Sequence, residues 1–237
     1  MKFDKKRFYL SAPRLNRYLQ ATGNSQPKAV RLYMANLRLV KAFHPVIGLF
    51  EVIVRNCINN ELSAHFKDPD WIINQKNGFM NDPSLTYIHP KTGKRIQNKY
   101  LRSKIIRAEK ELTKRNTVVT SGKVIAEQTF GFWTSLFEKT HYRLLQGSVI
   151  KIFNNLPSGK GRIDIKKSVN RIRKFRNRVN HNEPICFNGV TIDLTDTLRV
   201  HHDIYKMLDW IDPELPDWVR NIDTVDTQVK YISTYQP

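Results

Sequence analysis

The segment from Pro45 to about Phe66 constrains the fold most, because its first half is apolar around the whole helical circumference. A helix that is hydrophobic on all sides is normally enclosed by other elements, so this segment predicts a central helix. Its apolar residues are Val46, Ile47, Leu49, Phe50, Val52, Ile53 and Val54. Glu51 and Arg55 interrupt this run four positions apart, and buried charges must be paired. They therefore either form an internal salt bridge or face a functional cavity together with Asn56.

Helical periodicity recurs along the rest of the chain and predicts an all-α protein. The clearest stripe lies between residues 162 and about 180 and consists of Ile165, Val169, Ile172, Phe175 and Val179. Pro45 follows His44 and permits a bend or a new helix at that point. We expect a helical bundle with an N-terminal helical extension and a long, mostly irregular insertion, in which the turn from Pro90 to Gly93 offers a small hairpin.

The predicted organisation is a single domain covering residues 1–237. It consists of basic N-terminal helices (1–44), the central helix (45–66), the loop insertion (67–96), the main bundle (97–211) and a C-terminal tail (212–237). Cys57 and Cys186 stand in unrelated contexts, which excludes a disulfide framework or a zinc pattern and suits a reducing cytosol. No signal-peptide pattern is present, and the longest apolar run is too short to cross a bilayer. We therefore expect a cytoplasmic protein without a membrane anchor.

The formal net charge of +19 is the second strong constraint, because such an excess usually indicates a polyanionic partner. The charge is uneven: residues 1–41 contain ten Lys or Arg and one acid, and residues 151–184 contain ten against two. From residue 187 onward, nine acids outnumber four Lys or Arg. The basic helices therefore predict a nucleic-acid surface, and the C-terminal segment is expected to lie away from it.

The most basic stretch runs from Arg171 to Pro184 and contains Arg176, Asn177 and His181. RNA cleavage without a metal needs an acid and a base near neutral pH, and fixed positive charge for the phosphorane. His181 can act as acid or base, Arg176 can hold phosphate oxygens, and Asn177 can orient the imidazole or the ribose hydroxyl. These three residues are the predicted catalytic set of a metal-independent ribonuclease that needs no cofactor.

Helical geometry limits how this set can be assembled. At 100° per residue, Arg176 and His181 lie about 140° apart on a continuing helix, whereas Asn177 and His181 share a face. Arg176 and His181 therefore converge only if the helix ends near His181, as Pro184 favours, or if two copies meet in a dimer. A dimer would supply two histidines and two arginines to one scissile phosphate.

Other basic residues are interpreted as RNA phosphate contacts or as solvated faces. They are Arg171, Arg173, Lys174 and Arg178 in the basic stretch, and Arg102 and Arg107 on a helix predicted over residues 97–114. His201 and His202 are a further candidate for a metal or proton-transfer site. A histidine at a helix C-terminus can also be a simple partner of the helix dipole. The residues alone thus also fit a non-catalytic RNA-binding protein, whereas DNA binding would need a helix-turn-helix that the pattern lacks.

The segment from Arg176 to Ile185 resembles the R-N-x-x-x-H-x-E-P-I pattern of the Abi-like (abortive infection) proteins of bacteria, the AbiD/AbiF group of the HEPN superfamily. Three further stretches resemble that family in the same order. They are Arg14-Leu15-x-x-Tyr18-Leu19 with Leu32-Tyr33-x-x-Asn36, then Phe50-Glu51-Val-x-Val-Arg55-Asn56, then Phe130-Gly131-Phe132-Trp133. Together they cover nearly the whole chain. Asn182 departs from the pattern, because a second His is frequent at that position.

This resemblance implies a HEPN-type bundle that acts as an endoribonuclease in anti-phage defence. It implies a homodimer with a composite Arg/His site, and RNA products that end in 2′,3′-cyclic phosphates. It also implies a restraining partner, either a non-coding RNA or a protein antitoxin. Glu183 of the pattern, with Glu51, Arg55 and Asn56 of the central helix, is expected to support the catalytic set.

Overall fold

The structure is a computed structural model that describes residues 1–235. Helices account for 66% of the chain and strands for 4%, which confirms the predicted all-α class. The helices are α1 (Phe3–Leu10), α2 (Ala12–Ala21), α3 (Gln26–Phe66), α4 (Trp71–Asn74), α5 (Tyr100–Lys114), α6 (Ser121–Ala126), α7 (Phe130–Ser135), α8 (Lys139–Leu144), α9 (Arg162–Asn180), α10 (Thr195–Ile211), α11 (Leu215–Arg220) and α12 (Val225–Ser233). Short 3-10 helices lie at Phe79–Asn81 and Ser148–Ile152, and two antiparallel hairpins pair β1 (Thr86–Ile88) with β2 (Arg95–Gln97) and β3 (Phe187–Asn188) with β4 (Thr191–Ile192).

The chain forms two compact units, and each unit combines segments that are distant in sequence. Unit 1 consists of residues 1–50, residues 174–209 and the chain from residue 213 onward. Unit 2 consists of residues 51–173 and 210–212. The domain boundaries predicted from the sequence stay a prediction. Within residues 1–235, no helix combines the length and the hydropathy needed to traverse a bilayer.

Helix α3 continues through Pro45, so no new helix begins at that position. A proline cannot donate the hydrogen bond that the carbonyl of Lys41 would otherwise accept. Pro45 and Lys41 are both exposed, so water can satisfy that carbonyl, while Phe43 and Val46 are buried. Within unit 1, the ring of Phe43 packs edge to face on that of Phe175, with 4.9 Å between centroids. Tertiary packing of one face therefore holds the helix across a residue that local preference disfavours.

The middle of α3 is less enclosed than its composition predicts. Val46 and Phe50 are fully buried, but Gly48 and Val52 are exposed. The helix therefore has a buried face and an exposed face here, and the expectation that it is enclosed on all sides is wrong.

The insertion after α3 is anchored by buried side chains rather than lying free. They are Trp71, Ile72, Phe79, Met80 and Leu85. Within unit 2, the indole N–H of Trp71 donates to Asn59 Oδ1 at 3.0 Å. The small hairpin forms at the predicted turn, where the His89 N–H donates to the Lys94 carbonyl at 2.9 Å and Gly93 adopts a left-handed φ of +65°. A φ in this region explains the use of glycine at the turn.

Helix α9 agrees with its predicted bounds and buries the whole predicted stripe, from Ile165 to Val179. This stripe fixes how the helix is rotated, because an apolar face of this width packs in only one orientation. The rotation leaves Asn177 on the exposed side near the C-terminal end. Helix α9 thus presents its polar end residues to solvent.

Candidate active site

Helix α9 ends in a Schellman motif that makes His181 its C-cap residue. The Asn182 N–H donates to the Val179 carbonyl at 3.0 Å, and the Glu183 N–H donates to the Arg178 carbonyl at 2.9 Å. Asn182 adopts a left-handed φ of +50°, as the residue after the cap does in this motif. The helix therefore stops where the catalytic hypothesis requires it to stop, and the side chain of His181 is exposed.

Two side chains from the N-terminal helices hold the loop that follows His181. The fully buried Asn36 of α3 accepts a hydrogen bond from the Ile185 N–H at 2.9 Å and donates from Nδ2 to the Glu183 carbonyl at 3.3 Å. Arg14 of α2 donates from Nη1 to the Asn182 carbonyl at 3.1 Å. All of these residues belong to unit 1. The loop backbone is therefore bound to helices that precede it by more than a hundred residues.

Two further side chains of unit 1 complete these contacts. Arg178 donates from Nη2 to the Pro184 carbonyl at 2.6 Å, and Thr197 of α10 donates from Oγ1 to the Ile185 carbonyl at 2.5 Å. Each of the four carbonyls of residues 182–185 thus accepts a side-chain hydrogen bond. We call the four donors Arg14, Asn36, Arg178 and Thr197 the loop clamp. Because charge-assisted and buried hydrogen bonds are costly to break, the clamp fixes the path of the chain directly after His181.

Arg178 was interpreted from the sequence as an RNA contact, but its guanidinium faces the protein. Besides the loop carbonyl, it lies 3.4 Å from the Asp196 carboxylate and 3.7 Å from that of Glu183. Arg178 and Glu183 are also the two residues whose backbone carbonyl and N–H close the Schellman motif. Arg178 and Glu183 therefore stabilise the helix end, and we do not retain Arg178 as a phosphate contact.

The predicted catalytic set lies together at the end of α9. Arg176 is half-buried and its Nη1 lies 3.5 Å from Asn177 Oδ1, a long hydrogen bond. Asn177 and His181 are both exposed, and the His181 N–H donates to the Asn177 carbonyl at 3.1 Å. The structure thus brings Arg176 to Asn177, and Asn177 to His181 one turn later. Direct convergence of Arg176 and His181 on one phosphate stays a prediction.

The supporting residues predicted on α3 belong to unit 2. Glu51 and Arg55 are half-buried there, and Asn56 is exposed. Arg55 forms no ion pair with any residue of the described chain, so the alternative of a salt bridge between Glu51 and Arg55 is wrong. The contribution of these three residues to the catalytic set stays a prediction.

The remaining residues predicted to contact RNA fall in both units. Lys174 is exposed in unit 1, and the others belong to unit 2, namely Arg102, Arg107, Arg171 and Arg173. Arg107 is exposed, whereas Arg102 and Arg173 each bury an Nε that has no acceptor within residues 1–235. Their contact with RNA stays a prediction.

The paired histidines of α10 do not form a joint site. His202 is exposed, whereas His201 Nε2 lies 2.6 Å from Asp223 Oδ2, which also accepts from the Tyr205 hydroxyl at 2.6 Å. Burial raises the pKa of Asp223, but the hydrogen bonds from His201 and Tyr205 outweigh it and hold the pKa below its ordinary value. The hydrogen bond between His201 and Asp223 therefore links α10 to the turn before α12. No three His, Cys, Asp or Glu side chains of the described chain converge as metal ligands would.

The other reactive groups beside the loop are held in unreactive forms. Burial raises the pKa of the Cys186 thiol to about 12, so the thiol stays protonated near neutral pH. Burial also raises the pKa of the Tyr18 hydroxyl far above its ordinary value. Neither group can act as a nucleophile or base there, which leaves His181 as the exposed acid–base group of this segment.

Asn182 has a backbone role that its departure from the family pattern did not indicate. Replacing Asn182 with Ala is expected to lower the free energy of unfolding by about 1 kcal/mol, because a Cβ disfavours the left-handed region and Asn tolerates it. Replacing it with Gly should leave stability nearly unchanged, and His should lie between the two. Urea unfolding of the three variants measures this. Equal stability of the Ala and Gly variants would contradict it.

The fold and the site define a class: an all-α protein in which a basic helix ends at an exposed histidine, followed by a clamped loop. The model of the family described as Abi-like protein matches residues 3–186 of the chain. The chain therefore belongs to the Abi-like family, which confirms the family resemblance of its motifs. No curated protein and no solved structure matches the chain significantly.

The loop clamp is the part of the site that sequence reasoning missed. Arg14 and Asn36 stood in stretches that resemble the family, and that resemblance was the one signal that they mattered. Thr197 carried no signal, because a threonine in the first turn of a helix is ordinary. Their shared role is visible only in the tertiary structure, where the side chains of all of them donate hydrogen bonds to the carbonyls of this loop.

Proposed function

We propose that the protein is a metal-independent endoribonuclease of the HEPN type that acts in abortive infection. His181 is its general acid or base, Arg176 stabilises the negative charge of the phosphorane, and Asn177 orients the reacting groups. The observation that supports this most is the exposure of His181 at the end of α9. In the loop that follows it, each of the four carbonyls of residues 182–185 accepts a side-chain hydrogen bond. Such restraint is what a catalytic group needs, because small displacements reduce catalysis strongly.

The proposed reaction is cleavage of RNA by its own ribose 2′-hydroxyl. A base removes the 2′-hydroxyl proton, and the 2′-oxygen forms a bond to the adjacent phosphorus. The bond from phosphorus to the 5′-oxygen breaks, and an acid gives that oxygen a proton. The products are a 2′,3′-cyclic phosphate and a 5′-hydroxyl. The guanidinium of Arg176 offers donors in a fork that matches phosphate oxygens.

The acid and the base are two separate roles, and each chain has one exposed histidine at this helix end. We therefore propose a homodimer in which His181 of each copy takes one role. A C-cap position suits this arrangement, because a side chain at the tip of a helix can reach a second molecule without its own helix in the way. Protein concentration should then affect the specific activity.

The proposed partners are RNA as substrate and a restraint on activity in the host. An RNase that cleaves host RNA is toxic, so the restraint is a non-coding RNA or a protein antitoxin. The net charge of +19 fits a bound RNA. Abortive infection is the role that membership of the Abi-like family suggests.

The chemistry at the new RNA ends tests the proposal directly. RNA from cells that express the protein is expected to carry 2′,3′-cyclic phosphates and 5′-hydroxyls at new ends, and cleavage in vitro should persist with EDTA. Ends with a 5′-phosphate and a 3′-hydroxyl would refute 2′-hydroxyl attack, because they arise from attack by water. Tight RNA binding without any new ends would favour the competing function, a non-catalytic RNA-binding protein.

A further inference from the structure

The segment from Pro83 to Ala108 in unit 2 is rich in positive charge that the protein does not neutralise. It contains seven Lys or Arg and no Asp or Glu. None of the seven forms an ion pair with any residue within 1–235. Other cations of unit 2 do, since Lys76 pairs with Glu109 and Lys151 lies 3.7 Å from Glu61. Unpaired charge at this density attracts an external polyanion.

The hairpin of β1 and β2 in this segment exposes apolar side chains on both faces. Tyr87 stands opposite Ile96 on one face, and Ile88 stands opposite Arg95 on the other. Tyr87 is 46% exposed, Ile88 68% and Ile96 38%. Two-stranded hairpins are marginally stable in water unless they pack against something. Both faces of this hairpin are therefore available for a partner.

The first turns of α5 continue the same combination of aromatic and basic groups. Lys104 Nζ lies 5.5 Å from the ring centroid of Tyr100, which is also partly exposed. Next along the helix lies a groove of about 430 Å³. Lys104, Arg107 and Thr129 line one part of it, and Glu111 and the Arg115–Glu127 ion pair line another. The Thr129 and Tyr100 hydroxyls both lie beside Gly131, at 3.6 and 3.1 Å from where a Cβ would stand. A Cβ at Gly131 would therefore crowd the Tyr100 hydroxyl.

We propose that the hairpin and the first half of α5 form a binding surface for single-stranded RNA. Its cations would bind successive phosphates, and Tyr87 and Tyr100 would stack on bases, as in other proteins that bind single strands. The surface uses none of the candidate catalytic residues. RNA is also the partner in the proposed function, but binding here does not depend on cleavage.

The arrangement of the hairpin favours RNA over a lipid surface. The turn from His89 to Lys94 is polar and basic, whereas Tyr87, Ile88 and Ile96 lie on the strands behind it. A segment that inserts into a membrane would need its apolar groups at the tip, where they enter first. Side chains spread along both strands instead suit bases that are displayed along an extended strand.

The binding test uses the full chain with His181→Ala as background, so that RNA stays intact. Affinity for a 20-nucleotide single-stranded RNA is measured at several salt concentrations. Combined Lys91→Ser, Lys94→Ser and Arg95→Ser substitutions should weaken binding at least tenfold and reduce the slope of log K against log[salt] by about 2, since each phosphate contact on a single strand contributes about 0.7. Tyr87→Ala alone should weaken binding about tenfold, and Tyr87→Phe should not.

The matched control removes three charges that already have carboxylate partners. Lys151→Gln, Lys160→Gln and Lys166→Gln change the net charge equally, but these residues pair with Glu61, Asp164 and Glu138. Equal losses in the two triple variants would overturn the proposal, and so would an unaffected Tyr87→Ala variant. Equal competition by duplex DNA, or binding to phosphatidylglycerol vesicles that needs the same three cations, would also overturn it. Hairpin-dependent binding by a wild-type protein that leaves RNA intact would uphold it and refute the proposed cleavage.

Discussion

Replacing His181 with Ala is expected to reduce RNA cleavage by about 10²- to 10⁴-fold, the usual contribution of a general acid or base. An imidazole can donate or accept a proton near neutral pH, whereas the pKa of the neighbouring Cys186 thiol is raised to about 12 by burial. The substitution removes an exposed side chain from a C-cap whose hydrogen bonds are made by the backbone. The fold and the RNA affinity should therefore stay close to wild type. Single-turnover cleavage of a labelled RNA measures the effect.

The control for this prediction is His202→Ala. His202 is also an exposed histidine of unit 1, but it lies on α10 and contacts none of the loop-clamp residues through a hydrogen bond in the described chain. The His202→Ala variant should cleave RNA and inhibit host growth as the wild type does. Full cleavage by the His181→Ala variant would remove His181 from the mechanism.

Replacing Asn36 with Leu is expected to have the largest combined effect on stability and activity. Leu has a similar volume but cannot bind the Glu183 carbonyl or the Ile185 N–H, so two backbone groups beside a buried position lose their partner. Each such loss costs about 1–3 kcal/mol, which predicts a loss of about 2–6 kcal/mol in the free energy of unfolding. The freed loop should also let His181 shift, and a displacement near 1 Å can cost about 10²-fold in rate.

Asn59→Leu is the matched control, because it makes the same substitution on the same helix. Asn59 belongs to unit 2, where it accepts a hydrogen bond from the Trp71 indole, whereas the loop belongs to unit 1. The Asn59→Leu substitution should lower the free energy of unfolding without changing the rate of cleavage by the folded protein. Rates are compared at a temperature where circular dichroism shows both variants folded. A normal rate in Asn36→Leu, despite its lower stability, would mean that the clamp supports the fold and not the catalytic geometry.

The two predictions separate a catalytic role from a positioning role. His181→Ala should change the rate and leave stability nearly unchanged. Asn36→Leu should change both, and its pH–rate profile should keep the wild-type shape, because the acid–base group is still present. A changed profile in Asn36→Leu would indicate that Asn36 affects the chemistry itself.

The sequence by itself determined the helical class, the limits of α9 and the residues of the predicted catalytic set. These depend on local information: the period of apolar residues fixes the buried stripe, and Pro184 prevents the helix from continuing far past His181. The sequence also placed a small hairpin, because its turn needs a glycine with a positive φ.

Only the tertiary structure decided how the end of α9 is held and which basic residues remain available. Arg14, Asn36 and Thr197 meet one loop from positions far apart in the chain, and no local pattern indicates which side chains will meet. The same applies to Arg178, which in the sequence is one of several cations in a basic stretch. In the structure its guanidinium donates to the Pro184 carbonyl of the loop that follows α9. Continuity of α3 through Pro45 was likewise decided by packing on the buried side and by water on the exposed side. Long-range hydrogen bonds and packing depend on which surfaces meet, whereas periodicity and turns depend on neighbours in sequence.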